Sequence, residues 1–446
     1  MLHYFKYLFY IDPISIVMLA LLTFVGACIG IFAYRYMSGD SRYVPFFFYL
    51  ILLVVAIGVM VSADHMALLF CGWCVSNLLL VRLMIHKAAW KAAKNSGMLA
   101  FKNFLLGSLS LGIGLILLHI ATNEVSIKAA IHTNLNNSFV SSALFFLLFG
   151  AMTQSAIWPF HRWLISSLNS PTPVSAIMHA GLINGGGFLL ARFAPLYLQH
   201  PNMLTLVFIV GMATAFIGTL WKLMQHDVKR MLACSTMGQM GFMLAQCGLG
   251  LFPAAIAHLV THGLFKAFLF LASGGAAFEK RQDLTRRKKS SVFIYALFCG
   301  FVGSCCFAFA SGKSWLAGDT TLVLMVIALL TTSQAALTVL EMKTRSRIPV
   351  ALVISSAMGF VYGVSVYSLS KILEPADLMR PMQINYAHVV GMILLVAAWL
   401  SVVLFNKKRV PKFFETWIQK GYVVVLNASQ PHPSTITTYR NQYKYL

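Results

Sequence analysis

Apolar runs of about twenty residues recur along almost the whole chain, separated by short polar stretches. Hydrocarbon offers a backbone no hydrogen bonds, so a segment crossing a bilayer must pair its own amides, as a helix or in a closed barrel. These runs are continuous where barrel strands would alternate, which excludes the barrel. The spacing predicts spans near 11–34, 45–63, 65–86, 99–120, 139–160, 172–194, 203–221, 231–248, 252–278, 291–310, 320–340, 349–370 and 387–406. The expected fold is an all-α polytopic membrane protein of about 13 transmembrane helices. The first run is too long for the core of a signal peptide and lacks a small-residue cleavage site, so it reads as a span.

Hydrophobic residues make up 59% of the sequence and charged residues 10%, yet the net charge is +22. Such a charge suggests nucleic acid only while its placement is ignored. Of the 34 Lys and Arg residues, all but Lys6, Lys128, Arg192, Lys313, Lys371, Arg380 and Lys266 fall in one alternate set of loops and in the C-terminal stretch. By the positive-inside rule the N-terminus is outside and the C-terminus cytoplasmic. The basic excess is a topology signal, with a share left to attract anionic membrane lipid, and no nucleic acid is expected. Residues 1–410 read as the transmembrane domain and 411–446 as a cytoplasmic or interfacial tail. Its first part, to 426, is expected along the membrane surface, and the remainder loosely ordered unless a partner binds it.

One ionisable column interrupts the apolar pattern. His258, His262 and Lys266 recur every four residues inside the run 252–278, which stacks them on one helical face. Charge at membrane depth is costly and by default marks an ion pathway or proton relay. The same histidines would also serve as inert hydrogen-bonded ties between helices. His179 lies about two turns into the sixth span. Thr153 and Gln154 in the fifth and Gln239 in the eighth are candidates to line a shared hydrated seam with the column, or simply to bond a neighbouring backbone.

The twelve acidic residues all fall at span ends or in loops. A sodium site would want hard oxygen ligands, whereas histidine and lysine have neutral forms and can pass protons. Protons are therefore the expected ion. The eight cysteines sit in or beside apolar runs, and the Cys71-x-x-Cys74 pair has no second pair to complete a zinc set. No phosphate-cradling loop, nucleophile elbow or dinucleotide fingerprint occurs, so no cofactor and no covalent chemistry are expected in this chain. Helix breaks are expected at Trp158-Pro159 and at Ser311-Gly312-Lys313, while Gly185-Gly186-Gly187 reads as close packing.

The stretch Trp158-Pro159-Phe160-His161-Arg162-Trp163-Leu164, followed by Pro171-Thr172-Pro173-Val174-Ser175-Ala176 and His179, resembles the signature of the antiporter-like subunits of respiratory complex I and Mrp antiporters. Asp227 to Thr236 is similar to the next block of that family, and His258-x3-His262-x3-Lys266 to its proton-channel helix. The likeness runs from about Asp12 to Lys313 and then fades. Within that superfamily the tryptophan-rich Trp158–Trp163 variant, the run His179 to Gly187 and the short length resemble the DabB-type subunits of inorganic-carbon uptake complexes.

The resemblance implies an antiporter-like fold with discontinuous helices and a proton-conducting subunit in the cell inner membrane. It also implies a DabA-like zinc-binding peripheral partner, similar to carbonic anhydrases, on which CO2 would become bicarbonate. On this comparison His258, His262 and Lys266 relay protons, His179 links the cytoplasmic side, and Lys313 sits near the exit. Complex I relatives carry a glutamate where this chain has Cys74 and a lysine where it has Gln154. The first half-channel therefore lacks its charged pair. The resemblance leaves two other readings open: a cation/proton antiporter or redox-complex subunit, and a membrane anchor whose channel has decayed.

Overall fold

A computed structural model describes residues 8–133, 138–278, 290–342, 347–404 and 412–436. Every expected span is helical. In chain order they are α1 Pro13–Tyr36, α2 Tyr43–Ser62, α3 Met66–Met84, α4 Lys91–Thr122 and α5 Ser138–Gln154. The sixth span is divided into α6 Thr172–Ala180 and α7 Gly185–Arg192. Then come α8 Pro201–Leu223, α9 Val228–Gly248, α10 Phe252–Leu271, α11 Ser290–Ser311, α12 Thr321–Leu340, α13 Arg347–Ile372 and α14 Tyr386–Leu404. A last helix, α15, covers Lys412–Ala428. Ten described helical segments are long and apolar enough to cross a membrane, α6 and α7 counting together, and α5 and most of α14 are shorter apolar helices. The thirteenth, α9, carries Lys229 and Arg230 in its first turn. Among the described residues the only β structure is isolated bridges such as His65 with Ser126.

Local chemistry accounts for the boundaries. Asp12 caps α1 by accepting the Ser15 backbone N–H at 2.8 Å, with Pro13 at the first helical position. α5 stops at Gln154, and after a turn in which Ala156 takes φ +52° only a four-residue helix, Arg162–Ile165, follows. That is the break expected at Trp158-Pro159. The sixth span breaks at Gly181, four residues before the glycine triplet, and a 3-10 turn over Leu182–Asn184 leads into α7. The triplet itself packs. A Cβ at Gly186 would strike Ser155 Oγ and the Ala151 carbonyl, and one at Gly187 would meet Met243 Sδ at 2.5 Å. The break expected at Ser311-Gly312-Lys313 is a termination instead. α11 ends at Ser311, and Gly312 at φ +65° turns the chain into a loop leading to α12.

The chain divides into two compact units, one of residues 1–248, 258–277 and 416–446, the other of 249–257 and 278–415. In the first unit, α8 and α9 meet backbone to backbone. A Cβ on Gly241 would lie 2.5 Å from the Ala215 nitrogen, and Gly211, Gly218 and Gly248 leave no more room. The loops of this unit sort to two ends. At one, Tyr10 N–H donates to Ser62 O and Ile127 N–H to Asp64 O, and Arg192 donates to Asp12 at 2.6 Å. At the other, His86 pairs with Asp40 at 3.1 Å and Arg42 donates to the His86 carbonyl. The second end also carries Arg230 and Lys91, members of the basic loop set.

The second unit packs α11, α12 and α13 through small residues. A Cβ at Gly303 would lie 2.6 Å from the Ser355 carbonyl, and Gly300 abuts Ser333. Ala296, Cys299, Ala336, Leu337 and Ala351 form its core.

α15 covers most of the segment expected along the membrane surface, with Tyr422, Val423 and Val424 exposed on it. Residues 429–435, expected to be loosely ordered, are tied down. Ser429 accepts from Gln225 at 2.9 Å, the His432 N–H donates to Ser166 Oγ at 2.9 Å, and the Ser434 and Thr435 carbonyls accept from Asn95 and Asn169. Polar side chains at the start of α4 and on two separate loops satisfy this strap, a long-range pairing that composition does not reveal. The basic cluster Lys280 to Lys289, with Lys6, Lys343, Arg345, Lys407, Lys408, Arg409, Arg440 and Lys444, lies outside the described residues.

Candidate proton-relay site

The apolar run 252–278 becomes α10 and a following 3-10 turn, and helical spacing stacks its polar residues as expected. The rings of His258 and His262 stack with centroids 6.0 Å apart and planes 27° apart. All three members are buried, Lys266 to 2% exposure. Its Nζ donates to the Leu232 carbonyl on α9 at 3.3 Å, and among the described residues no carboxylate pairs with it. A buried amine without a counter-ion has its charge poorly compensated, so its protonation answers to whatever charge or water reaches it.

Leu232 is a junction. Its carbonyl also accepts from the Thr236 hydroxyl at 2.9 Å, and the same hydroxyl lies 3.0 Å from His179 Nδ1. With the Thr236 proton committed to Leu232, His179 donates from Nδ1. His179 stacks on Phe270, one turn beyond Lys266, at 4.2 Å between centroids. Lys266 and His179 are thus joined through one carbonyl and one hydroxyl. Neither Leu232 nor Thr236 figured among the expected site residues, although both lie in the family-like block Asp227 to Thr236. The available signal was a threonine one turn after a leucine within that block.

The other expected residues divide. Gln154 is buried and its Nε2 donates to Asn77 Oδ1 at 2.9 Å and to the Leu182 carbonyl at 3.4 Å. Trp73 and the side chain of Gln154 both flank Gly185. Among the described residues Trp73 Nε1, Asn77 Nδ2, Gln154 Oε1 and Asn184 Oδ1 find no protein partner. Each such buried group costs about 1–3 kcal/mol if left unsatisfied. Both ring nitrogens of His262 are in the same condition. Thr153 is a tie between helices. Its hydroxyl donates to Gly150 O at 2.7 Å and crowds Gly107, while its carbonyl accepts from Asn103 and Trp163.

Gln239 is exposed on α9, on the face it shares with the half-buried Ser235 and Phe242, and Phe242 packs its ring against His258 at 5.1 Å between centroids. Lys313 belongs to the second unit, past the end of α11, where its Nζ lies 3.8 Å from Met379 Sδ. Burial holds its pKa below the usual lysine value, against the opposing charge of Asp319, so it releases a proton more readily than a solvated lysine. Among the described residues no group of His, Cys, Asp or Glu is placed to hold a metal ion.

Comparison with known proteins reaches the same elements. Residues 63–293 match the family model described as NADH:quinone oxidoreductase/Mrp antiporter, TM. Residues 4–47 match NADH-ubiquinone oxidoreductase (complex I), chain 5 N-terminus. The probable inorganic carbon transporter subunit DabB1 of Halothiobacillus neapolitanus is 34% identical over 310 residues, covering 65% of this chain and 56% of the relative. The probable inorganic carbon transporter subunit DabB of Bacillus subtilis is 33% identical over 293 residues, covering 65% and 57%. The chloroplastic NAD(P)H-quinone oxidoreductase subunit 5 of Acorus calamus is 32% identical over 361 residues, covering 74% and 48%. This chain therefore spans about half the length of the curated relatives it matches. A structure of the Mrp complex from Dietzia sp. DQ12-45-1b superposes with a TM-score of 0.60 at 20% identity, over 94% of this chain and 53% of that one, a likeness of fold.

Proposed function

The chain belongs to the NADH:quinone oxidoreductase/Mrp antiporter transmembrane family, and from that premise we propose that it is a proton-conducting membrane subunit of an inorganic-carbon uptake complex. The observation that carries the reading is the buried column His258, His262 and Lys266, with Lys266 tied through Leu232 O and Thr236 to His179. Every group in that series except the carbonyl can both give and take a proton; Leu232 O only accepts and holds Lys266 and Thr236 side by side, and the proton crosses between them through a bridging water or when the hydroxyl turns. The stacked histidines stand too far apart for a direct ring-to-ring hydrogen bond, so ring rotation or a bridging water carries that step. Lys313 serves the exit within the second unit.

The carbon-uptake assignment rests on the likeness to the DabB subunits. Its partner is a DabA-like peripheral subunit that resembles zinc carbonic anhydrases, which performs the conversion of CO2 while this chain supplies the proton flow. The chain sits in the inner membrane with its N-terminus outside and C-terminus cytoplasmic, residues 1–410 forming the membrane domain. A second reading, a cation/proton antiporter or quinone-oxidoreductase subunit, draws on the longer match to the chloroplastic subunit 5, 74% of this chain.

Replacing Lys266 tests the core of the proposal. In liposomes carrying the complex, Lys266→Ala should abolish proton flux, and in cells inorganic-carbon uptake, while membrane insertion stays intact. Wild-type flux from that variant would overturn the relay and leave the chain an anchor. Co-purification with a carbonic-anhydrase-like subunit, as against quinone-reductase subunits, separates the two complexes.

A further inference from the structure

At the basic end of the first unit, one cation is left over by the fold. α1 closes with Arg35 and Tyr36, and after the turn Met37 to Arg42 the chain re-enters as α2. Asp40, the carboxylate of this turn, is already committed. Its Oδ1 accepts from the Arg42 N–H at 2.8 Å and lies 3.1 Å from His86 Nε2. Arg42 turns to the same side and donates to the His86 carbonyl at 3.2 Å. Arg35 does not. Its side chain is exposed, and among the described residues no carboxylate pairs with it.

Arg35 opens on a cavity of about 480 Å³ lined by Tyr34, Arg35, Ser38, Gly39 and Tyr43. The lining offers one guanidinium, three hydroxyls and open space at Gly39, where a Cβ would meet nothing within 4 Å. Among the described residues no carboxylate lines it. Donors without an opposing acid suit an anion, and the guanidinium fork matches two oxygens of a phosphate in particular.

The surroundings say which kind of phosphate. The cavity sits where two spans end, beside tyrosines, which gather at the headgroup level of a bilayer. From there both helices present apolar residues outward at helical spacing: Phe24, Ala27 and Ile31 on α1, and Val44, Phe48 and Ile51 on α2. Ile31 and Val44, next to the cavity, are each 75% exposed. The two helices touch at Gly26, where a Cβ would lie 3.3 Å from Val54 Cγ2. A free phosphate has no use for such stripes. A phospholipid has an anionic head for the cavity and acyl chains for the stripes, and a basic pocket at helix ends is a general form of anionic-lipid site.

We propose that the cavity between the ends of α1 and α2 binds the headgroup of one anionic phospholipid, its phosphate on Arg35 and its acyl chains along the outward faces of the two helices. The hydroxyls of Ser38, Tyr34 and Tyr43 serve the remaining headgroup oxygens. The bound lipid ties the α1–α2 turn to one depth in the membrane. The site is separate from the histidine–lysine column and stands whether or not that column conducts.

Native mass spectrometry of the full chain, released from detergent, counts bound lipids. Dioleoyl phosphatidylglycerol and dioleoyl phosphatidylcholine share their acyl chains and differ in charge. One phosphatidylglycerol should bind about tenfold more tightly than phosphatidylcholine, the size of one charge-assisted hydrogen bond. Arg35→Gln should remove that preference, and so should Ser38→Trp, which fills the cavity but keeps the charge. Arg82→Gln is the control, an exposed arginine in the last turn of α3 and outside the cavity, and it should leave the preference intact. Equal loss in Arg82→Gln would reveal a diffuse basic surface, and a preference surviving both cavity variants would place the lipid elsewhere; either result overturns the site. Displacement of the lipid by millimolar inorganic phosphate would reassign the cavity to a free anion. Equal affinity of the wild type for both lipids would leave it to an acidic protein segment, which overturns the proposal as well.

Discussion

Lys266 shows what a single residue can and cannot disclose. Its four-residue spacing from His262 is visible in the chain, because helical periodicity is a property of consecutive residues. Its partner is not, because Leu232 O is a backbone atom 34 residues away. Thr236 is the sharpest test of that link. Thr236→Val keeps the shape and removes the hydroxyl between His179 and Leu232 O, so proton flux should fall while Thr236→Ser retains it; equal flux from Val and Ser would show that the hydroxyl only packs. A second residue-scale prediction concerns Arg192. Its guanidinium donates to Asp12, to Ser15 Oγ and to the Val61 carbonyl, joining α7 to the starts and ends of α1 and α2. Arg192→Met leaves Asp12 with a half-satisfied carboxylate and should destabilise the protein by about 3–5 kcal/mol, read as a lowered unfolding midpoint in detergent. Asp12→Asn in the same background should recover part of that loss.

At the scale of the element, breaks and contacts decide more than span positions do. The two interrupted spans place their breaks side by side, since Ser155 Oγ donates to Ile183 O and Gly186 packs on Ala151. A proline marks the first break in the sequence; the second falls at Gly181, ahead of the conspicuous glycines, whose part is to let α7 approach α5. The close seam between α8 and α9 was equally hidden, for its glycines matter only as facing pairs. The C-terminal strap is the clearest case of an element that composition misreads. Polar, basic and aromatic residues suggest loose chain, yet residues 429–435 find acceptors and donors in the first turns of α4 and on the loops after the short Arg162–Ile165 helix and between α8 and α9. Truncation after Ala428 should therefore raise amide hydrogen exchange at Asn95, Ser96 and Ser166 to Asn169. Unchanged protection there would show that the strap merely rests on these loops.

For the whole molecule, the alternation of basic and non-basic loops agrees with their segregation to two ends of the first unit, seen in the Asp40–His86 pair at one end and the Asp12–Arg192 pair at the other. The proposed orientation makes a direct prediction. Ser38→Cys, in the loop after α1, should react with an impermeant thiol reagent from the cytoplasmic face only, and His132→Cys, in the loop after α4, from the outer face only. Labelling of both from one face would refute the orientation.

The sequence by itself determined the number and place of the helices, because the demand that a backbone satisfy itself in hydrocarbon acts locally on each run of residues. It determined the histidine–lysine column for the same reason of local period. Only the tertiary structure decided which polar groups meet: Asn77 with Gln154, Thr236 with His179, Gly263 beside Asn184. Those pairings arise between helices far apart in the chain, where the choice of face and the room left by a glycine set the partner. It also turned Gln239 outward and gave the strap its place. Spacing within a helix carries no information about the neighbour it will face.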